Sequence, residues 1–179
     1  MLKVSLSIIF FLLLDLNSAF ALPAKEVQPI PERKYSETVH DLVNSAQHSI
    51  RVILFTIRYY PNASGSTVNQ LVDDLASAAQ RGLSVEAILE DSSAHAKDNA
   101  EENRRAGERL EKAGVKVYYD SPTTTTHVKL LIIDNRYVVI GSTNWSYYAF
   151  EKNHEASVLV DSSELAEYYS RYFESLVTE

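Results

Sequence analysis

Apolar residues recur along this chain with two periods, and the points where the period changes divide it into alternating helices and strands. Tyr35, Val39, Leu42, Val43 and Ala46 fall on one side of a helical wheel, and residues 49–57 follow as a run rich in β-branched and apolar side chains, predicting helix and then strand. Val68, Leu71, Val72, Leu75, Ala78 and Ala79 make a second helical stripe closed by Gly82, with a strand over 84–89 behind it. Residues 98–113 are polar with a thin stripe of Ala106, Leu110 and Ala113, which predicts a surface helix ended by Gly114 and followed by a short strand over 115–119. Two strands, 128–134 and 137–140, are joined by a tight Asp-Asn-Arg turn. A further strand is expected over 155–160. Leu165, Tyr168, Tyr169, Tyr172, Phe173 and Leu176 then give an apolar face to a last helix that starts near Asp161 or Ser162. Strands that alternate with helices early and cluster late predict an α/β domain, a mixed β-sheet flanked by helices, and no internal repeat is visible.

The N-terminus breaks this pattern. Lys3 is followed by an almost unbroken apolar run that ends at Asp15, and then by Ala19-Phe20-Ala21. A basic start, a short apolar stretch and a small-x-small site describe a secretory signal peptide over residues 1–21, too short and too soon interrupted to span a bilayer. The mature chain is therefore expected to be secreted or periplasmic, with no stable membrane anchor. Residues 22–33, with Pro23, Pro29 and Pro31, read as an extended lead-in with little structure of its own, and 34–179 as one domain. Cysteine is absent, which removes disulfides, thiolate metal sites and thiol nucleophiles from consideration. A formal charge of −7 argues against a broadly sticky nucleic-acid binder, because non-specific affinity comes from Lys and Arg.

One stretch carries chemistry. Thr126-His127-Val128-Lys129 opens a strand, and Gly141-Ser142-Thr143-Asn144 follows the next one. Residues two apart on a strand share a face, so His127 and Lys129 project together while Val128, Leu130 and Ile132 point the other way, and Ser142 and Asn144 repeat the relation. An imidazole, an ammonium, a hydroxyl and an amide on one face suit a tetrahedral oxyanion such as phosphate. Lys129 supplies charge, Ser142 and Asn144 directed hydrogen bonds, and His127 a nucleophile or proton carrier near neutral pH. Asp134 has the opposite parity, so although it belongs to the same set its expected part is support in the turn.

The pattern His-x-Lys-x4-Asp-x6-Gly-Ser-x-Asn resembles the HKD signature of the phospholipase D superfamily with every defining position filled, and the likeness extends over roughly residues 35–173. Within that superfamily the chain is most similar to small nuclease members with one HKD motif per chain. Ile57-Arg58-Tyr59-Tyr60 and the end Glu174-Ser175-Leu176 depart from the family pattern. The resemblance implies a phospholipase D-like fold and a metal-independent phosphodiesterase, with His127, Lys129, Asp134, Ser142, Asn144 and Glu155 as the catalytic set and no cofactor. It also implies two motifs meeting at one site, one histidine forming a covalent phosphohistidine and the other protonating the leaving oxygen and then activating water. A single motif per chain then calls for a homodimer. Glu155 resembles the family carboxylate that hydrogen-bonds the histidine. The expected substrate is DNA or RNA, cut with low sequence specificity; a phospholipid is the alternative, and a non-catalytic nucleic-acid-binding dimer the third reading.

Around this set Lys129, Ser142, Asn144 and Arg58 are the expected substrate-binding residues, with Arg58 and Lys152 extending a positive patch. His154 is read as packing or solvent-facing, and His40, His48 and His95 have no ligand spacing, so no metal site is expected. The 11 tyrosines read first as amphipathic packing, with Tyr59, Tyr60 or Trp145 the best placed to stack on bases. The charge run over 101–112 reads as a solvated helix face.

Overall fold

A computed structural model describes residues 21–91, 93–121 and 123–177. The predicted signal peptide, apart from Ala21, lies outside the described residues. Among them the chain forms β1 (Glu26–Pro29), α1 (Arg33–Ser45), β2 (Ser49–Leu54), α2 (Thr67–Gln80), β3 (Ser84–Leu89), α3 (Ser93–Lys112), β4 (Lys116–Tyr119), β5 (Lys129–Ile133), β6 (Tyr137–Gly141), α4 (Tyr147–Glu151), β7 (Ser157–Asp161) and α5 (Ser163–Val177). The strands lie in the order β1-β7-β6-β5-β2-β3-β4 in one mixed sheet. β2, β3 and β4 run parallel, linked by crossovers through α2 and α3, and β1, β7, β6, β5 and β2 pair antiparallel.

The alternation within the strands builds two cores. Val52, Leu54, Ala87, Leu89, Leu131 and Ile133 face α1, α2, α3 and α4, whereas Ile53, Ile88, Leu130, Ile132 and Val138 face α5 through Ala166 and Phe173. β5 is buried along its whole length because both faces are covered. Ser66 caps α2 and Ser146 caps α4, each accepting from the backbone N–H three residues on. Gly82, with φ of 90°, supplies the left-handed residue that lets α2 turn directly into β3.

Several local expectations are corrected. The lead-in is not without structure, since Glu26–Pro29 adds to the sheet as edge strand β1 against β7, and Ser162 Oγ donates to the Pro23 carbonyl at 2.5 Å. No periodicity announced this, because an edge strand of four exposed residues has no buried face to leave a pattern. β2 stops at Leu54 rather than continuing to Ile57, because α3 takes over its backbone: Asn103 Nδ2 donates to the carbonyls of Phe55 and Glu90 at 2.9 and 2.8 Å, and its Oδ1 accepts from Ile57 N at 2.9 Å. α3 starts at Ser93, earlier than its apolar stripe suggested. α4, a five-residue helix, was not expected.

Candidate active site

The register of the sheet decides which motif residues meet. Leu54 pairs with Lys129 and Gly141 with Ser157, so the C-terminal ends of β2, β3 and β6 lie at the same edge of the sheet as the N-terminal ends of β5 and β7. His127, Lys129, Ser142, Asn144 and Glu155 all sit at that edge, where ligands collect in sheets of this kind. Gly141 closes the corner. A Cβ there would meet the Ala156 carbonyl and the Cα and Oγ of Ser157, so only glycine lets β6 and β7 approach this closely.

His127 precedes β5 and is exposed, with one flank against Phe55 at a ring separation of 4.4 Å. Lys129 is buried, and its Nζ lies 3.2 Å from both ring nitrogens of His127, 3.1 Å from the His127 carbonyl that accepts from it, and 4.8 Å from the Phe55 ring centre. Burial lowers the affinity of Lys129 for its proton, and the Glu155 carboxylate acts in the opposite sense. His127 is also held below its ordinary value, first by desolvation and then by the Lys129 ammonium, with Glu90 opposing. Desolvation and the neighbouring ammonium thus both disfavour the imidazolium, the form that has no lone pair to attack phosphorus.

Across the corner, Ser142 donates to Glu155 Oε2 and accepts from Ala156 N at 3.1 Å, while Asn153 Nδ2 donates to Glu155 Oε1 at 2.9 Å. Glu155 thus orders Ser142 and Asn153, and among the described residues it makes no hydrogen bond to His127 of its own protomer. Asn144 Oδ1 is buried and has no hydrogen-bond partner among the described residues.

Asp134 lies apart from the other motif residues, in the supporting place in the turn that its parity predicts. It lies at the opposite end of β5, in the turn, with φ of 52°, and its carboxylate accepts from the backbone N–H groups of Gln47, His48 and Ser49 at 2.9, 2.7 and 3.0 Å. Burial would raise its pKa, but these three bonds outweigh that and leave the carboxyl below its ordinary range.

Arg58 follows the frayed end of β2, where its N–H donates to the Trp145 carbonyl at 2.9 Å and its guanidinium lies 3.6 Å from Glu102. Trp145 is fully buried, its indole N–H donating to Tyr35 Oη at 3.0 Å, so it does not stack on anything from outside. The Tyr59 ring is covered by Arg109 at 4.5 Å, and Tyr60 Oη accepts from Tyr147 N at 3.2 Å. His154 is exposed beside Glu32, and His40 bonds Asp74 between α1 and α2. Among the described residues no three His, Asp or Glu side chains gather as a metal site, and no helix is long and apolar enough to cross a membrane.

Three residues that sequence reasoning passed over support the site. Asn99 and Asn103 of α3 hold the end of β2 under Phe55, and Glu90, 1% exposed at the end of β3, accepts from Thr126 N at 2.5 Å and fixes the entry to His127. The available signal was weak: one carboxylate at the end of the apolar strand β3 and two asparagines in line with the thin apolar stripe of the otherwise polar α3.

The sequence matches the family described as cardiolipin synthase, PLD-like domain, over residues 39–177. The chain belongs to the phospholipase D superfamily. Among solved structures it is similar to Nuc, a phospholipase D family member from Salmonella typhimurium, with TM-score 0.71 and 23% identity over 84% of this chain and 93% of that one. NucT from Helicobacter pylori aligns with TM-score 0.66 and 20% identity over 86% and 96% of the two chains. Among curated proteins, a phospholipase D of Rickettsia bellii is 26% identical over 78% of this chain and 62% of its own length. A mitochondrial cardiolipin hydrolase of Xenopus laevis is 34% identical over 39% of this chain and 33% of its own. The chain thus spans between 33% and 62% of the length of these two curated relatives.

Proposed function

We propose that this phospholipase D superfamily member is a metal-independent phosphodiesterase, acting as an endonuclease of low sequence specificity on DNA or RNA at a site shared by two subunits. The observation that carries this reading is the exposed imidazole of His127, with the Lys129 ammonium 3.2 Å from both its nitrogens and the Ser142–Glu155–Asn153 chain across the corner. A ring nitrogen of His127 attacks phosphorus, the bond from phosphorus to the leaving ester oxygen breaks, and that oxygen takes a proton from a second imidazole. Water, deprotonated by that second imidazole, then cleaves the phosphorus–nitrogen bond and restores His127. Lys129 and Asn144 stabilise the charge that builds on the non-bridging oxygens.

In this reading the second imidazole comes from another subunit, since among the other histidines with described side chains His40 is engaged with Asp74, His48 lies at the opposite end of β2, and His154, though next to Glu155, is exposed and paired with Glu32. A two-fold dimer bringing His127 to its symmetry mate meets the requirement and supplies the partner that Asn144 Oδ1 lacks in the protomer. Export through residues 1–21 would place the enzyme outside the cytoplasm.

A second reading, hydrolysis or transfer on a phospholipid, is favoured by one feature. A largely apolar pocket of about 360 Å³ lined by Tyr60, Val68, Tyr147 and Phe150 shares Tyr60 with the groove that Asn144 and Asn153 line, and two of the curated relatives are named for lipid hydrolysis. The deciding experiment offers bis(p-nitrophenyl) phosphate, plasmid DNA, RNA and phospholipid vesicles to the purified protein in EDTA. We expect cleavage of the first three, abolished by His127→Ala without loss of the dimer in sedimentation. Strict dependence on added Mg²⁺, or activity in a monomer, would overturn the mechanism; turnover of vesicles alone would establish the second reading.

A further inference from the structure

We infer that Arg105 of α3, with Arg58, forms a subsite for a second phosphate beside the reacting centre, so that the substrate is held as a polynucleotide strand and not as one isolated phosphodiester. This rests on the nuclease reading above.

A groove of about 600 Å³ leads away from the motif, lined among others by Asn144, Asn153, Arg58, Arg105 and Tyr148. Asn144 and Asn153 belong to the site or to its immediate support, so the groove begins where the scissile phosphate would lie. Arg58 is placed there by the short parallel pairing of Ile57 with Trp145, which sets residues 56–58 alongside Asn144.

Both guanidiniums converge on one carboxylate. Arg105 Nη1 donates to Glu102 Oε1 at 2.7 Å, and Arg58 Nη1 lies 3.6 Å from Glu102 Oε2. Two cations against one anion leave one positive charge uncompensated in the groove, on a chain whose overall charge is −7. A polyanion approaching such a molecule binds where cations are concentrated, not to its general surface. The neighbouring arginines of α3 are otherwise engaged, Arg104 in a two-pronged contact with Asp91 and Arg109 with Asp73. Arg105, with 65% of its side chain exposed and one of five donors on Glu102, keeps the rest of its fork for a phosphate. Tyr148 on α4, 68% exposed at the groove wall, gives an unstacked base an aromatic face.

A lipid with a single phosphodiester would gain little from a second cationic pocket, whereas every interior linkage of a strand has a neighbouring phosphate to fill it; a lipid with two phosphates is set apart by vesicle binding. The assay compares Arg105→Gln and Arg105→Lys with the parent protein on a short oligothymidylate and on bis(p-nitrophenyl) phosphate, which has no second phosphate. It also follows oligothymidylate binding by fluorescence anisotropy across NaCl concentrations.

For Arg105→Gln we expect kcat/KM to fall about tenfold more on the oligonucleotide than on the small diester, as for loss of one solvent-exposed charged hydrogen-bond donor. The slope of log K against log salt should shrink by about 0.7, the value for one phosphate contact on a single strand. Arg105→Lys should retain the slope, which a merely structural role for Arg105 would not require. Equal losses on both substrates, an unchanged slope, or Arg105-dependent binding to phosphatidylglycerol or cardiolipin vesicles but not to oligothymidylate would overturn the subsite. If the oligonucleotide is bound with an Arg105-dependent slope but is not cut, the nuclease reading fails and the subsite stands. If DNA is cut and Arg105 substitutions move neither readout, the reverse holds.

Discussion

Replacing Asp134 separates the two roles open to the acidic position of the HKD signature. Its carboxylate accepts three backbone N–H groups from the α1–β2 connection, at 2.7–3.0 Å, and so ties the β5–β6 turn to the start of β2. Hydrogen bonds to a charged group contribute about 1.5–3 kcal/mol each, toward the lower end at a half-buried site where water can substitute. Asp134 also adopts φ of 52°, which alanine tolerates at a cost of about 1 kcal/mol or more. For Asp134→Ala, three bonds at the lower end plus the backbone cost give a loss of about 5 kcal/mol, which lowers Tm by roughly 10–20 °C in a domain of this size. An asparagine side chain keeps one acceptor and tolerates the left-handed backbone, so Asp134→Asn should cost about half as much.

The pH dependence has a definite sign. The folded-state carboxyl is held below its ordinary pKa by the three backbone bonds, which outweigh the opposing effect of burial. Its contribution is complete above the unfolded value of about 4 and is lost as pH falls through the folded value. The difference between the parent and Asp134→Asn in urea midpoint should thus be full at pH 7 and shrink below about pH 4. Seven residues of extended chain separate Asp134 from His127, roughly 20 Å, so kcat per folded molecule should stay within about twofold. A loss of kcat of about a hundredfold with an unmoved urea midpoint would refute the structural assignment.

Gly141→Ala should destabilise by about 2 kcal/mol or more and abolish phosphodiester cleavage, because the added methyl meets the Ala156 carbonyl and Ser157 and pushes apart the two strands that carry Ser142 and Glu155; urea melts with a parallel bis(p-nitrophenyl) phosphate assay check both. Asn103→Leu leaves Ile57 N–H and the Glu90 carbonyl without their partner and the Phe55 carbonyl with Asn99 alone, and we expect a loss of about 3 kcal/mol in chemical denaturation together with weakened activity, since Phe55 and His127 rest on that corner. The acid limb of kcat/KM should have its midpoint below the ordinary histidine value of 6.5, because desolvation and Lys129 disfavour the imidazolium. Lys129→Met removes one of those causes, so in NMR titration the His127 midpoint should move upward.

How much of this was legible in the sequence follows from how far apart the interacting groups lie along the chain. The α/β pattern, the central helices and strands, and the shared face of His127 and Lys129 are local: a period of 2.0 or 3.6 residues and a spacing of two settle them without reference to the rest of the molecule. Tertiary structure alone decided the rest. Sheet register put Gly141 against Ser157 and Leu54 against Lys129, which assembles the corner, and set Asp134 against the backbone N–H groups of Gln47, His48 and Ser49. Glu155 found Ser142 and Asn153 instead of the imidazole of its own chain. Arg105, read from its charge run as a solvated helix position, shares Glu102 with Arg58, which lies far earlier in the chain. A polar side chain carries no periodic signature of its partner, because its energy depends on which distant backbone and charge the fold brings within about 3 Å, and that is a property of the packed sheet and not of any local window.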